Sequence, residues 1–162
     1  MKYRNRFFGT ASSAAIVLAL GLTLATPPQA ANIQKQPSSE VAELKAASNK
    51  GDVVSTRKLA DAYRTGQGIG KNLETAFNLY VEAARAGDAE ARYRVGNAYH
   101  RGEGTDSNQI SAWVWLTLAG EEHSSIKDQA LTLRDKVQNS LSEAQQSRAK
   151  LLAESLEQML PK

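Results

Sequence analysis

Beyond residue 38, apolar positions recur every three to four residues, the spacing of helices that bury one face. Leu59, Ala62 and Tyr63 form one such stripe, and Val95, Ala98 and Tyr99 form another. A longer one runs through Leu73, Ala76, Phe77, Tyr80, Ala83 and Ala84; its counterpart is Ala112, Trp113, Leu116, Ala119 and Gly120. Gly66-Gln67-Gly68 and Gly102-Glu103-Gly104 interrupt the pattern as turns that need positive φ. Asp52, Asp88, Asn72 and Asn108 stand where a helix start needs a side chain to accept its unpaired N–H groups. Residues 40–50 read as a further helix upstream. Downstream, Ser124 or Ser125 is placed to cap a helix to about Asn139, with Ile126, Ala130, Leu133 and Val137 on one face. Ser142-Glu143-Ala144-Gln145 is a capping box. It opens a helix through Leu160 that carries Ala144, Arg148, Leu151, Leu152, Ser155 and Met159 at helical spacing.

The pattern repeats. Residues 47–84 written over residues 83–120 bring Gly51 onto Gly87, Asp52 onto Asp88, and Ala62-Tyr63 onto Ala98-Tyr99. They also bring Gly66 and Gly68 onto Gly102 and Gly104, Phe77 onto Trp113, and Ala83 onto Ala119, each pair 36 residues apart. A fixed period of this size means stacked supersecondary units. The expected fold is all-α: an α-solenoid of helix-turn-helix repeats, about 52–87 and 88–123, within a domain at 39–160 whose C-terminal capping helices span about 124–160.

Charge and composition then narrow the chemistry. Three of the chain's 20 basic residues (Lys2, Arg4 and Arg6) precede residue 30, leaving 17 against 17 acidic residues. The net +3 is therefore no argument for nucleic acid as a partner. The absence of cysteine excludes disulfides, cysteine zinc sites, iron–sulfur clusters and thiol nucleophiles. Two histidines give little basis for a metal site, and no metal or other cofactor is expected.

The three early charges precede an apolar run from Ala14 to Leu24, then Thr26-Pro27-Pro28-Gln29-Ala30. A basic start, a short apolar stretch and a small-residue end describe a signal peptide at 1–30, cut after Ala30. The other reading is an uncleaved anchor, which would be the only membrane contact. Either way the expected location is periplasmic or secreted. Residues 31–38, polar and containing Pro37, read as a linker.

Leu59-Ala60-Asp61-Ala62-Tyr63-Arg64-Thr65-Gly66-Gln67-Gly68-Ile69 resembles the LGxxYxxGxGV core of Sel1-like repeats, which are related to the tetratricopeptide repeat. Asn72 through Gly87 resembles the second helix of that unit, and Val95 to Thr105 with Ala112 to Leu116 matches the same pattern again. The C-terminal part is similar to the ending of small exported bacterial members of the family. Ala60 stands where the pattern favours Gly, and Thr105 where it has Val. Gly120-Glu121-Glu122-His123 replaces the usual Ala-rich end, which agrees with the second repeat being the last. The resemblance implies a TPR-like solenoid and a protein-binding scaffold.

Gly66-Gln67-Gly68-Ile69-Gly70-Lys71 is not a phosphate loop: the spacing fails, and the same Gly-x-Gly recurs 36 residues later without lysine. Adjacent Glu121 and Glu122 point apart on a helix and make no acid–base pair. Neither His100 nor His123 has a ligand set around it in sequence. Trp113 aligns with Phe77 and is expected in the core; Trp115 belongs either to helix packing or to a binding surface.

The candidate site lies on the first helix of each pair, which lines the concave face in solenoids of this type. Arg57, Asp61 and Arg64 share one face of the first copy; Tyr93, Asn97 and His100 are their equivalents in the second. Arg94 and Arg101 complete a polar, basic strip. Residues 57–101 carry eight basic and five acidic residues, whereas residues 102–162 carry six and nine. Such a groove suits an acidic or extended peptide segment. The expected function is an exported, non-catalytic scaffold of the bacterial cell envelope that binds another protein or peptide there. Two alternatives stand: a permanent structural or regulatory subunit of an envelope complex, or a hydrolase related to cysteine-rich Sel1-like β-lactamases. The missing cysteines count against the hydrolase.

Overall fold

Seven helices follow one another in a computed structural model that describes residues 37–120 and 126–160. The expected signal peptide, most of the linker, Glu121, Glu122, His123, and the capping serines Ser124 and Ser125 lie outside the described residues. The helices are α1 (Ser39–Ser48), α2 (Val53–Thr65), α3 (Leu73–Arg85), α4 (Ala89–Arg101), α5 (Gln109–Gly120), α6 (Lys127–Gln138) and α7 (Glu143–Met159). No strand occurs among the described residues.

Local chemistry sets the helix starts. Asp52, Asn72 and Asp88 each accept the N–H three residues on, from Ser55, Thr75 and Ala91 at 3.1, 2.9 and 2.7 Å. Asn108 accepts the Ser111 N–H at 3.0 Å at the head of α5. Ser142 and Gln145 form both halves of the expected capping box. The head of α6 has Ile126 in the cap position and no side-chain cap. Helices α2 and α4 both end on a left-handed glycine, Gly66 and Gly102.

Each helix packs on the next from α1 to α6. Gly96 makes the α4–α5 approach possible, because a Cβ there would stand 2.6 Å from the Leu116 side chain. The second glycine of each turn joins neighbouring units. A Cβ on Gly68 would overlap the Ser38 hydroxyl, and one on Gly104 would overlap the Leu73 carbonyl. Ser38 heads α1 as Leu73 heads α3, so α1 occupies the place of a second helix in a preceding unit. The Ser38 N–H donates to the Gly68 carbonyl at 2.8 Å and closes that junction.

Helix α5 is the centre of the core. Eight of its twelve residues are buried, including Trp113, Trp115, Leu116 and Leu118, and it packs against α4, α6 and α7. Trp115 is therefore a core residue and not part of a binding surface. The Trp113 indole N–H donates to Gln138 on α6 at 3.2 Å.

The last helix turns a different face inward from the one its pattern marks. Ala149 and Ala153 are buried, with Leu156 and Leu160 packed beside them, whereas Leu151, Leu152 and Met159 are exposed. Ala144, Arg148 and Ser155 point outward too. Helix α7 lies on α5 rather than pairing with α6. Alanines let two helix backbones approach closely, and at such a contact small residues displace large ones from the interface.

Candidate functional site

Helices α2, α4 and α6 carry a run of three cavities along one side of the stack. The first, about 380 Å³, lies between α1 and α2. The second, about 410 Å³, is enclosed by α2, α3 and α4, and the third, about 440 Å³, by α4 and α6. Arg64 borders the first two, and Asn97 and Arg101 border the last two. Adjacent cavities thus share wall residues from the first helices of successive units, and together they form the candidate groove.

One network organises its upper wall. Tyr80 sits on the core face of α3 and is 3% exposed, yet its hydroxyl reaches across to α2. There it donates to the Asp61 carboxylate at 2.6 Å and accepts from Arg64 Nε at 3.1 Å. Asp61 also receives Arg64 Nη2 at 3.4 Å and faces Arg57 at 3.8 Å. Burial first, then the bond to Asp61, pushes the Tyr80 phenol far above its ordinary value of 10.0, against the opposing effect of Arg64. The phenol therefore stays neutral and fixes the Arg64 guanidinium at the cavity rim.

Arg57 does a different task from the one its register suggests. Its Nε donates to Asp88 at 3.0 Å, and its Nη1 lies 3.2 Å from Glu90. Asp88 caps α4, so Arg57 ties the first repeat to the head of the second. Burial alone would lower its pKa, but the Asp88 hydrogen bond and the charges of Asp88, Glu90 and Asp61 outweigh that and raise it. Arg57 lines none of the three cavities.

The other candidates divide. Asp61 and Arg64 border the first cavity, and Arg64, Arg94, Asn97 and Arg101 the second. Tyr93, Asn97 and Arg101 border the third. His100, in the last turn of α4, is drawn away: its Nδ1 lies 2.8 Å from the Gln109 carboxamide oxygen, and it borders none of them. The Arg94 guanidinium reaches Glu90 at 3.1 Å through Nη2 and lies 5.9 Å from the centre of the Tyr93 ring. Its Nε is buried and has no hydrogen-bond partner. Arg101 pairs with Glu103 at 2.8 Å and stays largely exposed.

Other charged and aromatic residues at these cavities were not among the sequence-derived candidates. Lys71 borders the second cavity from the α2–α3 turn, Phe77 and Tyr80 border it from α3, and Lys136 borders the third from α6. Lys71 reads in sequence only as part of a turn, and the two aromatics only as core. The available signal was the 36-residue period itself, which brings the α3 aromatics beneath the gap between α2 and α4. Among the described residues no group of three or more His, Asp or Glu side chains could hold a metal ion. No described helix is long and apolar enough to cross a membrane.

Helix pairs stacked in register define an all-α repeat solenoid. The Sel1 repeat family model matches residues 53–88 and 89–124. The chain thus carries two Sel1 repeats. Its fold is similar to the crystal structure of a protective antigen present in uropathogenic Escherichia coli strains and displaying an SLR fold. The TM-score is 0.70 at 23% identity, over 74% of this chain and 25% of the antigen. It is also similar to the crystal structure of a Sel1 repeat protein from Oxalobacter formigenes, with a TM-score of 0.53 and 26% identity, over 57% of this chain and 37% of that one. This chain thus spans less than half the length of either. No curated protein matches it.

Proposed function

We propose that this Sel1-repeat protein is an exported, non-catalytic scaffold of the bacterial cell envelope that binds another protein through the α2–α4–α6 groove. The observation that carries the reading is the run of three adjacent cavities, whose shared residues come from the first helices of different units. A surface of that kind suits an extended segment of a partner, held by a few arginine and aromatic anchors. The basic run with an apolar stretch at residues 1–30 supports export.

Two measurements test this. Fractionation of epitope-tagged full-length protein should place it outside the cytoplasm, and a cytoplasmic pool alone would refute the export reading. A photo-crosslinking residue at Asn97, in the groove, should capture a discrete protein partner that the same residue at Asn78 does not. Asn78 is exposed on α3 and borders none of the three cavities. Equal capture from both positions would refute the groove assignment.

A further inference from the structure

We propose that the cavity between α2, α3 and α4 is a carboxylate site, which takes an acidic group of an extended peptide lying in the groove. The proposal rests on the groove reading above and names the chemistry the groove selects. Cationic side chains from three segments border this one cavity: Arg64 from α2, Lys71 from the turn, and Arg94 and Arg101 from α4. The single carboxylate on its border, Glu103, is already engaged by Arg101. Arg64 and Arg94 are paired as well, with Asp61 and Glu90, so the unpaired positive charge at this point is that of Lys71.

The cations are not equally committed. Arg64 is held by Asp61 and Tyr80 and serves as a fixed rim. Lys71 is exposed, and no ion pair or hydrogen bond engages its side chain among the described residues. Arg94 spends Nη2 on Glu90 and keeps a buried Nε–H without an acceptor. With Nη2 on Glu90 and Nε occluded, Nη1 is the Arg94 donor left to meet a carboxylate beside the Lys71 ammonium.

The cavity's other lining argues for a peptide rather than a free ion. Leu73, Ala76 and Phe77 supply apolar wall next to the charges, a surface suited to the aliphatic stem of an acidic side chain or to its neighbours. The cavity also has a neighbour on each side, sharing Arg64 with the first cavity and Asn97 and Arg101 with the third. A chain can therefore enter and leave while one carboxylate sits at the centre.

The test uses the chain from residue 31 onward and three fluorescein-labelled twelve-residue peptides, read by fluorescence anisotropy. The first carries glutamates among leucine, glycine and serine, with an amidated end. The second has glutamine in place of each glutamate. The third is the glutamine peptide with a free C-terminal carboxylate. Binding of the first identifies an acidic side chain, and binding of the third alone identifies a chain end; either supports the carboxylate site. The second should bind about tenfold or more weakly. R94Q and K71Q should each lose binding, K71Q also serving as the variant whose fold is not in question because Lys71 is exposed. R148Q, on the outer face of α7, removes the same charge at a distance and should keep it. Equal loss in R148Q would reduce the effect to diffuse attraction and overturn the proposal, as would equal binding of the first two peptides. Displacement of a bound dye-labelled phosphate by inorganic phosphate, with no binding of either carboxylate peptide, would also overturn it. Retained capture of the Asn97 partner by an R94Q, K71Q protein would overturn the carboxylate site while leaving the scaffold reading intact.

Discussion

Gly104→Ala separates two explanations of the repeated Gly-x-Gly turn. If the second glycine serves only its own backbone angle, alanine there should cost what alanine costs at the first. Gly102 and Gly104 have nearly the same conformation, φ 70° and 76°. Left-handed backbone costs an alanine about 1–2 kcal/mol, partly offset by about 0.4–1 kcal/mol because alanine restricts the unfolded chain. For Gly102 that is the whole effect, since a Cβ would meet nothing nearer than 3.6 Å. At Gly104 the new methyl would overlap the Leu73 carbonyl oxygen and stand 2.5 Å from its carbon. These are backbone atoms at the head of α3, and they can yield only by shifting the previous repeat. Overpacking of this kind adds about 1–3 kcal/mol. Gly70→Ala is the control, with no positive φ and no atom within 4 Å of its Cβ; it should be neutral or slightly stabilising. Urea unfolding followed by far-UV circular dichroism reads all three. With a slope of about 1–3 kcal/mol per molar urea, the Gly104 midpoint should fall roughly 1 M below the Gly102 midpoint. Coincident midpoints would refute the claim that this glycine is a contact between repeats.

Two further outcomes follow from the packing. Leu152→Ser on the outer face of α7 should change stability by less than about 0.5 kcal/mol, whereas Ala153→Leu should cost about 1–3 kcal/mol by forcing α7 away from α5; the reverse order in thermal unfolding would restore the outward leucines to the core. The raised pKa of Tyr80 makes its contribution to stability complete below pH 10 and lost as pH rises above it. Tyr80→Phe should cost about 1 kcal/mol near neutrality and flatten that alkaline decline in urea midpoints; an unchanged decline would refute the assignment.

What the sequence made legible was local or periodic. The caps at Asp52, Asn72, Asp88 and Ser142 depend on residues three positions away, and the 36-residue register is visible in the text of the chain. The groove was legible only as a helix face, because its chemistry is non-local. Arg57 looks available until Asp88, 31 residues on, takes its guanidinium. Tyr80 reads as core because its ring is core, while its hydroxyl acts 19 residues back, on Asp61. His100 shares the face of Asn97 by spacing, but Gln109 claims it where the chain leaves the helix. On α7 the pattern misleads for a physical reason: hydrophobicity ranks leucine above alanine, whereas close helix contact favours alanine. That preference belongs to the partner helix and cannot be seen in α7 alone.

The central cavity has walls that belong to different repeats, Arg64 on one side and Arg94 and Arg101 on the other. It is therefore an aperture whose width is set by an angle. A 13-residue helix such as α4 is ~20 Å long, so a rotation of about 5° between repeats moves the far end of a wall by roughly 2 Å. A ligand that closes on both walls resists that rotation, and by reciprocity anything that bends the stack changes the ligand's affinity. The ion pairs of Arg57 with Asp88 and Glu90 span the same joint, and the Arg57–Asp88 pair is buried enough to hold it with little weakening by salt.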